Sequence, residues 1–218
     1  HPIKHVCVRS SILRYLGNYS KLIGARYFKL DGTPDPWDIL SPIDVDGHGT
    51  HTSSTLAGYV VANASLYGLA RGAARGAVPN ARVAAYKVCW VGSGCSDMDI
   101  LAAFDAAIHD GVNVISISIG GATEDYASDT ISVGAFHALK KGIVTVASAG
   151  NDGPKWGTVS NHAPWLVTVA ASGIDRQFKS KVKTGNGRSV SVSIVVQFSY
   201  ICCRKIIIVL LKDQDRSR

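Results

Sequence analysis

The chain has 218 residues, 46% of them hydrophobic and 22 of them glycine, a composition typical of a globular α/β protein with tight turns. Its formal net charge is +7, but residues 175–218 hold ten basic and three acidic residues and so account for all of it. The preceding residues carry thirteen charges of each sign, which argues against a nucleic-acid-binding body.

Residues 46–58 form the first predicted element and have an unusual composition. His48 lies between Gly47 and Gly49, and a run of small, hydroxyl-rich residues follows. Glycine leaves the backbone free to turn sharply, and small side chains let a helix approach a sheet closely. We predict a helix over residues 50–57 that packs deep against a sheet and holds the His48 imidazole at a buried N-terminus, facing a cleft. The alternative is a glycine-rich turn with an incidental histidine.

A zinc site is a further alternative at the same place. His48 and His51 are three residues apart and could share one face of a helix. No third ligand has a suitable spacing, and the glutamate of the helical metalloprotease motif is absent. We therefore expect no metal here, and we expect His51 to be buried and hydrogen-bonded.

A strand and a helix follow in the middle of the chain. Residues 81–88 predict a strand, and Ser96 is suited to cap the helix that comes next. Asp97 and Asp99 fall in the first turn of this helix, where they suit its dipole. Apolar residues at helical spacing continue it to Gly111.

Three more strands and one helix are predicted up to residue 170. Residues 112–118 and the apolar run from residue 142 are short and β-branched, as core strands of a parallel sheet are. A helix is predicted over residues 129–141, and a last strand over residues 166–170. A turn that carries Asn151 follows the strand that begins near residue 142.

The alternation of strands and helices predicts a parallel sheet covered on both faces. Ligands of such sheets bind beyond the carboxyl ends of the strands. Asn151 follows one such end, and residues 118–121 follow another. A dinucleotide-binding fold is a rival for any alternating chain, but no G-x-G-x-x-G follows a strand here. Taken alone, Asn151 could also be an ordinary turn asparagine, and residues 118–121 a simple exit from a strand.

The last part of the chain departs from this pattern near residue 190. Short apolar runs at residues 194–196 and 206–211 flank two basic residues. A membrane-spanning helix needs about 20 mostly apolar residues, so these charges argue against one. We divide the chain into a body, residues 1–188, and a divergent basic and apolar tail, residues 189–218. The tail is either a terminus foreign to the body or a real, exposed, β-prone segment.

Longer strings carry a resemblance to a known family. Residues 46–58 resemble the histidine motif of subtilisin-like serine proteases, and residues 142–154 resemble the strand and turn that hold the family's oxyanion asparagine. Further strings are similar to the plant, cucumisin-like branch: residues 21–28, 64–76, 81–90 and 157–161. The resemblance covers roughly residues 20–188. It implies a three-layer α/β fold with a mostly parallel sheet and helices on both faces, here incomplete.

The resemblance also implies roles for particular residues. His48 would be the general base, and the Asn151 amide would donate a hydrogen bond to the oxygen that becomes negative in the tetrahedral intermediate. Ser118, Ile119 and Gly120 would pair with an extended peptide as with an added strand. The implied activity is that of a serine-type endopeptidase acting on polypeptides, without a cofactor, a nucleic acid or a membrane. The family is mostly secreted, so an extracellular, apoplastic location is expected.

Two members of the catalytic triad find no match. The family places its aspartate in Asp-Thr-Gly or Asp-Ser-Gly upstream of the histidine and its serine in Gly-Thr-Ser-Met-Ala downstream. Asp31-Gly32-Thr33 has the letters in the wrong order, and no serine after Asn151 fits. Without the nucleophile no acyl-enzyme forms, so we expect this polypeptide alone to be inactive or nearly so. The alternative from another class is a non-catalytic peptide-binding protein, or pseudoprotease, that keeps the cleft.

Five cysteines are too few and too scattered for a disulfide framework. Cys89 and Cys95 bracket one loop and could pair, whereas Cys7 has no obvious mate. Scattered thiols are more often small buried hydrophobic groups. Asn18 and Asn63 begin glycosylation sequons, which matter only in a secreted protein.

Overall fold

The computed structural model describes residues 21–33, 35–173, 179–193 and 207–211. The chain divides into two units, residues 1–170 with 203–218, and residues 171–202. The helices are α1 (His48–Ala57), α2 (Asp97–His109) and α3 (Thr130–Lys140). The strands are β1 (Leu22–Tyr27), β2 (Val61–Leu66), β3 (Leu69–Ala74), β4 (Arg82–Lys87), β5 (Cys89–Trp90), β6 (Gly94–Cys95), β7 (Val114–Ile117), β8 (Val144–Ser148), β9 (Val167–Val169), β10 (Lys179–Lys183), β11 (Ser189–Ser193) and β12 (Ile207–Leu211). Among the described residues, no helix is long and apolar enough to cross a bilayer.

The elements predicted between residues 81 and 170 are confirmed, each to within two residues at its ends. Ser96 stands at the N-cap of α2, but its side chain makes no capping hydrogen bond. Asp99 does more than complement the helix dipole, because its carboxylate is buried and accepts the Leu30 N–H at 2.8 Å. Burial raises the pKa of Asp99. This contact ties the first turn of α2 to the chain that leaves β1.

The main sheet has six strands in the order β1-β4-β12-β7-β8-β9. The pairs β1/β4, β7/β8 and β8/β9 are parallel, as the alternation of strands and helices predicts. The mostly parallel α/β fold is therefore confirmed.

β12 is the exception, because it lies in the middle of the sheet and runs antiparallel to both neighbours. Val209 pairs with Ala84 of β4 on one side and with Ile115 of β7 on the other. β12 belongs to the predicted tail, for which one alternative was an exposed β-prone segment. Residues 207–211 are instead paired along both edges, because their β-branched run meets two strands that otherwise share no ladder.

Helices cover both faces of the sheet, and the alternation of side chains along β4 shows which helix lies where. Ala84 and Tyr86 belong to the large core cluster under α2 and α3. Val83, which points to the opposite face, packs with Ala57 of α1 in a separate cluster. The three layers implied by the resemblance are therefore present, with the larger core on the α2/α3 side.

The second unit contains one antiparallel hairpin, β10–β11, among its described residues. Lys179 pairs with Ser193 and Lys183 with Ser189. The boundary predicted after residue 188 falls between these two strands, so the hairpin combines residues from both sides of it.

Cys89 and Cys95 form a disulfide, so the pairing considered from the sequence is present. The two residues face each other across the β5–β6 hairpin. Cys89 is also buried in the large core cluster, so it is both a disulfide partner and a small buried hydrophobic residue. The bond closes the loop that leads into α2.

Candidate active site

The carboxyl ends of β7 and β8 lie side by side at one edge of the sheet. The two strands are parallel, and the last paired residues are Ile117 and Ala147. Ser118, Ile119 and Gly120 continue directly from β7, and the exposed Asn151 follows β8 by three residues. The predicted peptide-binding residues and the predicted oxyanion donor thus leave neighbouring strands in the same direction.

Two glycines let these chain segments touch. A Cβ added to Gly120 would lie 3.3 Å from the Gly150 Cα and 2.9 Å from the Ser160 Oγ. A Cβ added to Gly150 would lie 2.6 Å from the same hydroxyl oxygen, and Gly150 has a φ of 89°, which favours glycine. The turn that presents Asn151 therefore depends on the absence of side chains at both positions.

Asn161 joins the two segments by hydrogen bonds. Its Nδ2 donates to the Ile119 carbonyl at 2.6 Å and to the Ser148 carbonyl at 2.8 Å. The side chain is buried, and the residue has a φ of 54°. The sequence analysis did not predict this positioning role. Asn161 appeared there only as the last residue of the string 157–161, which is similar to the family. An asparagine before an apolar strand is a weak signal, because asparagine is common in turns.

His48 is the first residue of α1, and an upstream aspartate caps this helix. Gly47 occupies the N-cap with a φ of 96° and has no side chain to accept a hydrogen bond. Asp44 caps the helix instead. Its Oδ1 accepts the Gly47 N–H at 2.8 Å, and its Oδ2 accepts the N–H and the hydroxyl of Thr50, each at 2.7 Å. Sequence reasoning missed this cap, whose signal is an aspartate three residues before the N-cap glycine.

The prediction of a buried helix N-terminus is wrong in one respect. His48 is half-buried, and only Gly49 and Ala57 of α1 are buried. The small side chains that allow α1 to approach the sheet also fill little space beneath it. A mostly apolar cavity of about 420 Å³ remains between α1 and β1.

The direction of α1 places His48 on the side of the carboxyl strand ends. At the C-terminal end of α1, the carbonyls of Thr55 and Leu56 accept backbone N–H groups from the segment that leads into β4. The residues before α1 are attached at the other end of β4, where Lys87 donates to Asp38 and to the Ile43 carbonyl. α1 therefore runs antiparallel to β4, with His48 toward the edge from which Asn151 emerges.

The Subtilase family model matches residues 22–200 of this chain. The chain belongs to the subtilase family. Subtilases are serine-type endopeptidases, and the chain is similar to plant members. The roles of His48, Asn151 and residues 118–120 within that chemistry stay predictions.

Two plant subtilases illustrate the similarity. The chain is 68% identical over 185 residues to subtilisin-like protease SBT4.14 of Arabidopsis thaliana, covering 85% of this chain and 25% of that protein. It is 60% identical over 174 residues to SBT4.15 of the same plant, covering 79% and 22%. The chain thus spans about a quarter of the length of these relatives. Among solved structures, sphericase aligns with a TM-score of 0.39 at 28% identity, covering 55% of this chain and 37% of that one.

Three of the aspartates that precede the histidine of this subtilase have a structural partner of their own. Asp31, which stands in the reversed motif, forms an ion pair of 3.0 Å with the lysine two residues before it. Asp35 is buried and accepts the Gly92 N–H at 2.7 Å. Asp38 pairs with Lys87 at 2.6 Å. These contacts support the inference that none of these aspartates orients the histidine.

His51 differs from its prediction. Its side chain is exposed, because this position of α1 faces away from the sheet. In the described residues, no group of three or more histidine, cysteine or acidic side chains could hold a metal ion. Of the two predicted glycosylation sites, Asn63 lies exposed in β2 with a φ of 58°, and Asn18 lies outside the described residues.

The stabilisation of α1 by the Asp44 cap should depend on pH. Burial alone would raise the pKa of Asp44, but the hydrogen bonds from Thr50 and Gly47 outweigh it and lower the pKa. Because the pKa is lower in the folded state, this stabilisation is present at neutral pH and is lost as the pH falls below about 4. Asp44→Ala should therefore lower the free energy of unfolding by about 1–2 kcal/mol at pH 7 and by less at pH 3.

Urea unfolding at the two pH values measures this difference. Asp152→Ala, at an exposed aspartate of another loop, is the control and should cost less at pH 7. Equal losses for Asp44→Ala at both pH values would contradict a cap that depends on the carboxylate charge.

Proposed function

We propose that this chain is the histidine- and oxyanion-bearing part of a subtilisin-like serine endopeptidase that hydrolyses polypeptides through an acyl-enzyme. The main support is the meeting of two strand ends, where residues 118–120 and the turn before Asn151 are in contact through Gly120 and Gly150. Substrate alignment and oxyanion binding need these two groups at one edge of a sheet. The family membership of residues 22–200 supports the same chemistry.

In this mechanism each group has a separate task. The backbone of residues 118–120 binds the peptide as an added strand. The His48 imidazole takes the proton from the attacking serine hydroxyl and later gives it to the leaving amine. The Asn151 amide donates a hydrogen bond to the carbonyl oxygen as it becomes negative, and that bond is stronger in the transition state than in the ground state.

The serine and the aspartate of the triad are proposed to come from segments outside these 218 residues. No serine after Asn151 stands in the family's nucleophile motif, and the aspartates before His48 that were considered above have structural partners. The chain taken by itself should therefore hydrolyse peptides very slowly or not at all. If the mature protein contains no such serine, a peptide-binding protein without catalysis is the remaining function.

A fluorophosphonate probe separates the two cases. The 218-residue chain should not react, whereas the product of the full-length reading frame should be labelled at one serine. His48→Ala should abolish labelling of the longer product. Labelling of the 218-residue chain would contradict the missing nucleophile, and no labelling of the longer product would contradict the protease function.

Asn151 gives the quantitative test. In the full-length product, Asn151→Ala should lower kcat by roughly 100- to 1,000-fold with little change in KM, the range typical of subtilisin-type oxyanion holes. Asn80→Ala is a matched control, because Asn80 is exposed in the turn before β4 at the opposite end of that strand. A loss of less than threefold for Asn151→Ala would exclude Asn151 as the oxyanion donor.

An extracellular location is proposed on two observations. The Cys89–Cys95 disulfide suits an oxidising compartment, and the Asn63 sequon is exposed. The full-length product expressed in plant cells should collect in the medium, and peptide N-glycosidase should lower its mass. Asn63→Gln should reduce this change in mass. Asn80→Gln should leave it unchanged, because Asn80 lies in no sequon. Retention in the cell without glycan would contradict the proposal.

A further inference from the structure

The position that β12 occupies in the main sheet admits one strand of a particular kind. Neighbouring strands lie about 4.8 Å apart, and β12 pairs with both β4 and β7, so a single strand fills the gap between them. Helices pack on both faces here, since α1 lies against β4 and β12 and α2 lies against β4. A strand that is covered on both faces is continuously apolar, as Ile207–Leu211 is.

β12 lies outside the family pattern, although both of its neighbours lie within it. The Subtilase family model matches residues 22–200, which include β4 and β7, whereas β12 begins at Ile207. β12 also runs antiparallel, in a sheet whose other pairs are parallel. A family member without such a tail needs another strand in this place. The chain spans about a quarter of the length of SBT4.14, so the relatives have ample sequence to supply it.

The direction of β12 decides what it brings to the candidate active site. Its first residue, Ile207, pairs with Tyr86 and Ile117 at the carboxyl ends of β4 and β7. Its last residue, Leu211, pairs with Arg82 at the opposite end of β4. β12 therefore begins at the edge of the candidate site and leads away from it. A parallel strand in the same place would end at this edge, and the residues that follow it would join the site.

The place of β12 also adjoins the helix that carries His48. α1 lies against β12, and the His48 end of α1 is directed toward the carboxyl strand ends. Residues that follow a parallel strand in this place would therefore emerge near the imidazole. The aspartate of a catalytic triad must lie within hydrogen-bond reach of the histidine that it orients. The sequence that leads into β12 contains Arg204 and Lys205 instead, whose charge is opposite.

We propose that β12 is an autoinhibitory strand that occupies the sheet position which the aspartate-bearing strand takes in the full-length protease. The two strands exclude each other, because the gap holds one. While β12 is inserted, His48 lacks the carboxylate that fixes its tautomer, and the protease is nearly inactive. When β12 leaves, an apolar strand parallel to β4 and β7 replaces it and brings its aspartate to the site. This inference rests on the proposed function, because it requires a triad aspartate outside the 218 residues.

Val209→Pro in the full-length product tests the competition. Proline removes a backbone N–H from the centre of β12 and leaves the aspartate-bearing strand unaltered. Labelling of the active serine by a fluorophosphonate should become about tenfold faster, because the population shifts toward the form with the aspartate in place. Val192→Pro makes the same change in the β10–β11 hairpin and should leave the labelling rate unchanged. A gain in reactivity cannot result from a failure to fold.

Peptide binding to the 218-residue chain tests the sheet position without catalysis. The probe is a fluorescein-labelled peptide with lysines at its start, a run of valine and isoleucine, and a final Asp-Thr-Gly. The Val209→Pro chain should bind it about tenfold more tightly than the original chain in fluorescence anisotropy, because β12 no longer competes. The Val192→Pro chain should bind it as the original chain does. A control peptide with proline in the middle of its apolar run should bind to none of them.

The outcomes separate this inference from the proposed function. If the full-length product is labelled at the same rate with and without Val209→Pro, or more slowly with it, the autoinhibitory strand is overturned and the protease function stands. If no form of the full-length product is labelled, both proposals fall. A Val209→Pro chain that forms dimers and takes up no peptide would assign the place to a strand of a second copy and would also overturn the inference.

Discussion

Replacing Lys87 by methionine is expected to lower the free energy of unfolding by about 3–5 kcal/mol, because it leaves the Asp38 carboxylate charged and unpaired inside the protein. The side chains of Lys87 and Asp38 are 3% and 2% exposed, and their charged atoms are 2.6 Å apart. The Lys87 ammonium also donates to the Ile43 carbonyl and lies 4.4 Å from the centre of the Trp90 ring. One cation therefore fixes three neighbouring parts of the chain.

A surface pair provides the matched control. Arg26 and Asp110 form an ion pair of 2.9 Å whose side chains are each 26% exposed. Arg26→Met should cost less than about 1 kcal/mol, because water screens this pair. Urea unfolding of both variants measures the difference. Similar losses of unfolding free energy for Lys87→Met and Arg26→Met would show that burial does not make the Lys87–Asp38 pair more important for stability than a surface pair.

A second substitution identifies the cause. Adding Asp38→Asn to Lys87→Met keeps the shape and the hydrogen-bonding oxygen of residue 38 but removes the uncompensated charge. The double variant should recover a large part of the lost stability. If it is less stable than Lys87→Met, lost packing rather than an unpaired charge explains the effect. The segment that Lys87 holds leads directly to α1, so the same variant should also loosen the position of His48.

Val209→Pro is expected to divide the main sheet. Proline removes the backbone N–H at the centre of β12, and a proline in a central strand leaves a partner carbonyl without its donor. The expected loss is roughly 2–4 kcal/mol of unfolding free energy. Because β12 is the strand that joins β4 to β7, amide hydrogens of both neighbours should exchange faster with solvent.

The matching control is Val192→Pro in β11. Val192 is also a valine in a paired strand, but its partner is Ser180 of β10, and the hairpin shares no ladder with the six-stranded sheet. Hydrogen exchange of β4 and β7 should therefore stay as in the original chain. Unchanged exchange in Val209→Pro as well would show that β12 does not hold the two halves together in solution.

Local patterns predicted most of the sheet and the place of the candidate site. The strand and helix bounds between residues 81 and 170 follow from short-range periodicity, which acts within one element. The edge that carries Asn151 and residues 118–120 follows from the rule that parallel strands end together. These features need no knowledge of which distant segments meet.

Features that depend on contacts between distant segments could not be predicted from the sequence. β12 pairs with strands that lie far earlier in the chain, so no local signal reveals its place or its direction. Asn161 and Asp44 act through side-chain hydrogen bonds to backbone groups, and the residue types alone are common in loops. His51 is exposed rather than buried, because a helix turns neighbouring residues of one motif to different faces.

The central place of β12 has a consequence for how the chain is made. Synthesis runs from the N-terminus, so β1 with β4, and β7 with β8 and β9, leave the ribosome long before their common neighbour. Until residue 211 has emerged, each half presents an open row of amide and carbonyl groups to other nascent chains. The yield of soluble protein should therefore depend on how quickly the codons for residues 170–211 are translated.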